Sequence, residues 1–171
     1  MGAERGSSPR RVKEPHSTSA GRRSQESSVN DSTPPHAQFH VLLVEDDEID
    51  VKNVRRAFEK NRILNPLHVA RDGEEAVKML ESGEIKAERL LVLLDLNMPR
   101  MNGIEFLRHI RGDERFRLLP VVVLTTSNDE RDKVDAYRLA VAGYIVKPVT
   151  FARFVKAMAA LNKYWTLVEL P

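Results

Sequence analysis

Leu90-Leu91-Val92-Leu93-Leu94 is an unbroken run of branched aliphatic residues that stops at an acid, Asp95. A run this short and this apolar fits a strand covered on both faces, the usual state of strands in parallel sheets. Three further runs stop at polar groups in the same way. Val41-Leu42-Leu43-Val44 stops at Glu45-Asp46-Asp47, Val121-Val122-Val123-Leu124 at Thr125, and Tyr144-Ile145-Val146 at Lys147-Pro148. A carboxylate at the end of a buried strand is costly to desolvate unless partners are brought to it. Parallel strands end along a common edge, so all of these groups are expected to converge there.

The stretches between the runs carry helical spacing. Val51, Val54, Arg55 and Phe58 form the first set, Ala76, Val77, Met79 and Leu80 the second, and Ile104, Phe106, Leu107 and Ile110 the third. Val134, Tyr137, Leu139 and Ala140 follow, and Phe151, Phe154, Val155, Met158 and Leu161 come last. The pattern predicts strands near residues 39–44, 66–71, 89–94, 120–125 and 143–147, alternating with five helices in repeated βα units. Asp72-Gly73-Glu74-Glu75 opens a helix with acids in its first turn, and Thr150 can cap the last one. In open α/β sheets the ligand site lies outside the carboxyl ends of the strands, where the polar run ends are expected.

Glu45, Asp46 and Asp95 would then form a cluster of three carboxylates, which like-charge repulsion prevents from staying ionised without help. A hard divalent cation with oxygen ligands resolves the repulsion, and Mg²⁺ is the expected ion. The backbone carbonyl of Asn97 is placed to add a fourth oxygen, whereas Asp47 should point away. Lys147 brings an ammonium to the same edge and Thr125 a hydroxyl; Thr126 is adjacent, and the strand register counted from Pro120 favours Thr125. A carboxylate nucleophile, a metal and a lysine make a phosphoryl-transfer set whose product is an aspartyl phosphate on Asp95. His40, His68 and His109 show no metal-ligand spacing, and no glycine-rich phosphate loop surrounds Gly103 or Gly143.

Residues 1–37 are rich in Ser, Pro, Gly, Thr and Arg, with Val12 and Val29 the only branched aliphatics, and are expected to form a disordered basic tail. Six of the 27 basic residues and four of the 25 acids fall within residues 1–40; the remaining chain is balanced at 21 of each. That balance argues against nucleic-acid binding by the folded part. Cysteine is absent, which excludes disulfides and thiolate metal sites and fits a reducing compartment. No apolar run reaches the roughly 18 residues of a membrane span, and none marks a secretory signal. The chain is expected to be cytoplasmic.

From about Phe39 onward these motifs resemble the receiver domain of two-component response regulators, the CheY-like family. Val44-Glu45-Asp46-Asp47 resembles the family's acid pair after the first strand. Leu94-Asp95-Leu96-Asn97-Met98-Pro99-Arg100-Met101-Asn102-Gly103 resembles its phosphoacceptor segment, with proline and glycine in register. Leu124-Thr125-Thr126-Ser127 occupies its hydroxyl position, and Tyr144-Ile145-Val146-Lys147-Pro148 its switch aromatic and lysine. The resemblance implies a flavodoxin-like, doubly wound (βα)5 domain over residues 38–163 with strand order 2-1-3-4-5. It also implies that Asp95 accepts phosphate, that Thr125 and Tyr144 report it, and that the Lys147–Pro148 bond is cis. Asn65-Pro66-Leu67-His68, Arg71 to Ala76 and the closing Tyr164-Trp165 to Leu170-Pro171 further resemble single-domain response regulators paired with phytochrome histidine kinases.

The implied function is a stand-alone response regulator that takes a phosphoryl group from a sensor histidine kinase, a phytochrome on the narrower resemblance, and signals by protein contact or phosphorelay. Such a receiver catalyses its own phosphotransfer and autodephosphorylation and is not an enzyme of turnover. Two alternatives fit less well. An aspartate-nucleophile phosphatase resembling haloacid dehalogenases needs an acid two residues after the nucleophile, where this chain has Asn97. A pseudo-receiver should lack an acid, the hydroxyl or the lysine, and all are present. Residues 164–171 add Trp165, Leu167, Val168 and Leu170 beyond a five-helix domain; they are expected either to pack back on it or to form an interface, a homodimer through the last helix.

Overall fold

The computed structural model describes residues 39–168, so the expected tail at residues 1–37 and the terminal Glu169, Leu170 and Pro171 lie outside the described residues. Five strands, β1 (His40–Val44), β2 (Leu67–Ala70), β3 (Leu90–Leu94), β4 (Val121–Thr125) and β5 (Gly143–Val146), alternate with five helices. The helices are α1 (Glu48–Lys60), α2 (Gly73–Glu81), α3 (Gly103–Gly112), α4 (Glu130–Arg138) and α5 (Phe151–Leu167). All strand pairs are parallel, and the sheet order is β2-β1-β3-β4-β5. This is the flavodoxin-like order expected, and each strand lies within a residue or two of its expected bounds.

Alternation along β3 divides the interior. Leu90, Val92 and Leu94 join the cluster that holds Val77 and Leu80 of α2, Phe106, Leu107 and Ile110 of α3, and Ala136 of α4. Leu91 and Leu93 join the opposite cluster, with Val54 and Phe58 of α1 and Phe154, Val155, Met158 and Trp165 of α5. Every residue of β3 and β4 is buried, and each such aliphatic side chain contributes about 1.5–3 kcal/mol relative to exposure. That double coverage is why these two strands read as continuous apolar runs rather than alternating ones.

Two expectations about helices change. The set Val134, Tyr137, Leu139 and Ala140 was to be the inner face of the fourth helix, but Val134 and Tyr137 are exposed and only Ala136 is buried. Leu139 caps α4, and Ala140 follows in a left-handed turn with φ of 53°. At the other end, the boundary expected after residue 163 does not separate two elements, because α5 runs unbroken through Leu167. Trp165 is buried against its own domain and Val168 packs beside it, while Tyr164 and Leu167 stay exposed. Among the described residues, no helix is long and apolar enough to cross a membrane.

Candidate functional site at the carboxyl edge of the sheet

Parallel hydrogen bonding carries the strand ends to one edge and holds them there. The Glu45 amide donates to Ala70 O at 2.9 Å, the Asp95 amide to Val44 O at 3.0 Å, and the Lys147 amide to Thr125 O at 2.8 Å. Each functional residue is thus the first beyond its strand, tied to a neighbouring strand by its own backbone. Oxygens of Glu45, Asp46 and Asp95 lie within 4.8 Å of one another. Glu45 and Asp95 are buried and Asp46 is exposed, so the cluster opens to solvent on the Asp46 side. An open cleft there is lined by Asp46, Asn97, Asn102 and Asp132. Asp47 turns away as expected: its carboxylate caps α1 by accepting from the Ile49 amide at 2.7 Å.

Lys147 enters from β5 and donates all three of its N–H groups. Its Nζ lies 2.6 Å from Glu45 Oε2, 2.6 Å from Asp50 Oδ2 and 3.2 Å from Asp95 Oδ2. Burial opposes the ammonium charge, but the hydrogen bonds to Asp50 and Glu45 and the charges of Glu45 and Asp95 outweigh it, so the lysine is held well above its ordinary range. For Glu45 the balance tips the other way. Burial pushes its carboxyl up to about 7, with the Asp95 charge adding to the effect, against the pull of Lys147. One ammonium serves three carboxylates, with Asp46 beside them, and the site is short of positive charge. The donor set is all oxygen and the excess charge is negative, so these residues fit a hard divalent cation.

Thr125, at the end of β4, is fully buried and Thr126 exposed. Its Oγ1 accepts from the Ser127 amide at 3.2 Å. Ser127 in turn accepts at its carbonyl from the Tyr144 hydroxyl at 3.1 Å, and its own hydroxyl donates to Asp132 of α4 at 2.6 Å. The two expected switch residues are therefore joined through one residue, Ser127. Burial raises the Tyr144 hydroxyl above its ordinary value, despite its hydrogen bond to Ser127. Among the described residues no peptide bond is cis. The Lys147–Pro148 bond is therefore trans, contrary to expectation; trans is the lower form of an X–Pro bond by about 0.5–1 kcal/mol.

The segment after Asp95 is pinned at both ends. The Asn97 amide donates to Asp95 Oδ1 at 3.2 Å. Gly103 opens α3 so close to the strand end that a Cβ there would stand 2.4 Å from the Asp95 carbonyl oxygen. Asn102 and Glu105 form a reciprocal capping box, at 3.0 and 2.8 Å. Arg100, in a left-handed turn with φ of 64°, forms an ion pair with the buried Asp72, which caps α2. Sequence reading assigns Asp50 no role and places Ser127 only as a flank of the site. Asp50 could have been suspected from its place in the first turn of the helix behind Glu45; nothing in the sequence marks Ser127's bridging role.

The model of the response regulator receiver domain matches residues 41–159, and the chain belongs to that family. It is a response regulator of the two-component type. The probable methanogenesis regulatory protein FilR2 of Methanothrix harundinacea is 37% identical over 129 residues, 74% of this chain and 83% of that protein. The response regulator Rcp1 of Synechocystis is 34% identical over 146 residues, 83% of this chain and 97% of its own. A crystal structure of Rcp1 in its Mn²⁺-bound form aligns with a TM-score of 0.69 at 34% identity, over 78% of this chain and 99% of that one. The phosphorylated cyanobacterial phytochrome response regulator RcpA aligns with a TM-score of 0.72 at 32% identity, over 79% of this chain and 99% of that one.

Proposed function

We propose that this receiver accepts a phosphoryl group on Asp95 from the phosphohistidine of a sensor histidine kinase and signals by changing its protein contacts or by relaying the phosphate. The observation that carries the reading is the position of Asp95 Oδ2, 3.2 Å from Lys147 Nζ and inside the cluster made with Glu45 and Asp46. A carboxylate oxygen of Asp95 attacks phosphorus, the P–N bond to the kinase imidazole breaks, and the imidazole keeps the electron pair. Lys147 offers charge to an equatorial phosphoryl oxygen, and Thr125 offers its hydroxyl to another. Glu45, Asp46, Asp95 and the Asn97 carbonyl would hold Mg²⁺, which supplies charge neutralisation at the transferring group. A likeness to Mn²⁺-bound Rcp1 supports a divalent ion of this size and hardness.

Thr125 and Tyr144 report the phosphoryl group, because a Thr125 hydroxyl drawn toward it releases the Ser127 amide that it now accepts from. The likeness to RcpA, described as a phytochrome response regulator, supports a phytochrome as the kinase. The receiver catalyses its own phosphorylation and dephosphorylation and does not turn over free substrates. Two copies would associate through Tyr164 and Leu167, exposed on α5, rather than through Trp165. Incubation with a phosphorylated cognate kinase should place hydroxylamine-sensitive label on the wild type and none on Asp95→Asn. Label on the variant, or label that resists hydroxylamine, overturns the reading.

A further inference from the structure

Asp50 is the third residue of α1, the position from which an acid commonly reaches back to the N-cap amide. Glu105 does this at the start of α3. In α1 the Asp47 amide is taken instead by Glu45 Oε1, at 3.1 Å, and the Asp50 carboxylate reaches Lys147, 97 residues away in sequence, at 2.6 Å. That contact is as short as the Glu45–Lys147 one and shorter than the Asp95–Lys147 one. Of the three acceptors on the ammonium, Asp50 is the one outside the carboxylate cluster that fits a cation. Any cation bound there competes with Lys147 for Glu45 and Asp95 but leaves Asp50 free.

We infer that Asp50 is a positioning residue: it anchors Lys147 beside Asp95 and draws the ammonium off the cation-binding carboxylates. The inference rests on the phosphoacceptor reading of Asp95 for its kinetic arm alone. Without Asp50, the ammonium leans on Glu45 and Asp95 when the cation is absent and loses its fixed acceptor when the cation is present. Cation binding weakens in the first case, and phosphoryl transfer slows in the second.

The test is a double-mutant cycle on the full chain with Asp50→Asn and Lys147→Ala, read in two ways: Mg²⁺ affinity by calorimetry with no phosphodonor, and the rate of labelling by acetyl phosphate at saturating Mg²⁺. Asp50→Asn should slow labelling about tenfold, near the lower end of what a lost charged hydrogen bond costs, and weaken Mg²⁺ binding about threefold, a fraction of it. Both effects should vanish in the Lys147→Ala background, and Asp50→Glu should restore part of each. An Asp50→Asn protein equal to the wild type, or losses that persist undiminished without Lys147, overturns the inference. Persistence would mean that Asp50 acts on the cation by its own charge. If the wild type takes no label while the Mg²⁺ cycle behaves as described, the phosphoacceptor reading fails and the role of Asp50 on Lys147 stands.

Discussion

Helices α3 and α4 lie against the same face of the sheet and are held to it very differently. Within α3, Phe106, Leu107 and Ile110 are fully buried, and the helix begins in a closed capping box. Only Ala136 of α4 is buried, its Asp129 cap is exposed, and Val134 and Tyr137 face solvent. What holds the far end of α4 is Arg111 of α3. Its guanidinium donates to the carbonyls of Leu139 and Ala140 after α4, and to Arg117 and Leu119 before β4. One helix is thus fixed by its own packing and the other by a neighbour's hydrogen bonds, and it is the second that carries Asp132, the partner of Ser127.

The largest test of this contrast is Phe106→Ala, which should cost about 3–5 kcal/mol of unfolding free energy in urea titrations. A loss below about 1 kcal/mol would show that α3 is not the anchor described. Arg111→Ala removes the shared donor of four carbonyls, those of Leu139 and Leu119 in part-buried bonds, and should cost about 2–3 kcal/mol. Its specific mark is faster amide exchange in α4 than in α3, and equal acceleration of both would break the comparison.

A smaller, pH-dependent loss is expected at Asp72, the buried cap of α2. Burial alone would raise its carboxyl, but the Glu75 and Glu74 amides and the Arg100 guanidinium together hold it below the ordinary value. A depressed carboxylate stabilises the fold above its unfolded pKa of about 4 and loses that contribution as pH falls through the folded value. Asp72→Asn should therefore be clearly less stable than the wild type at pH 7, with the gap closing below about pH 4. A gap of constant size across that range would remove ionisation from the explanation. Asn102→Ala, which opens the α3 capping box, should cost about 1 kcal/mol. Last, Tyr137→Ala and Val134→Ala should each stay within about 0.5 kcal/mol, since both side chains are already wet.

Strand ends were the most legible part of the chain because a parallel sheet leaves little freedom in where they go. Once the apolar runs were read as parallel strands, Glu45, Asp95, Thr125 and Lys147 had a common edge to share. Helix faces were less legible. In α4 the apolar residues at 134, 137, 139 and 140 make a consistent stripe, but a nine-residue helix that buries one alanine is oriented by its end contacts rather than by that stripe. The same difficulty hid Asp50, whose direction depends on the rotation of α1 and on Glu45 having taken the cap amide. Trp165 lies four residues beyond Leu161, the last apolar position the spacing assigns to the fifth helix; α5 continues for six residues past Leu161 and returns the indole to its own core.

Gly103 sets a limit on what this domain can vary. With its missing methyl, the first turn of α3 rests on the carbonyl of Asp95 and the backbone of Leu96, both of them rigid peptide atoms. The distance between the phosphoacceptor and the helix that follows it is therefore a fixed gauge. Alanine at this position would push the acid and the helix apart by a bond length or so, which would spoil the alignment of Asp95 with Lys147 while leaving every side chain of the site unchanged.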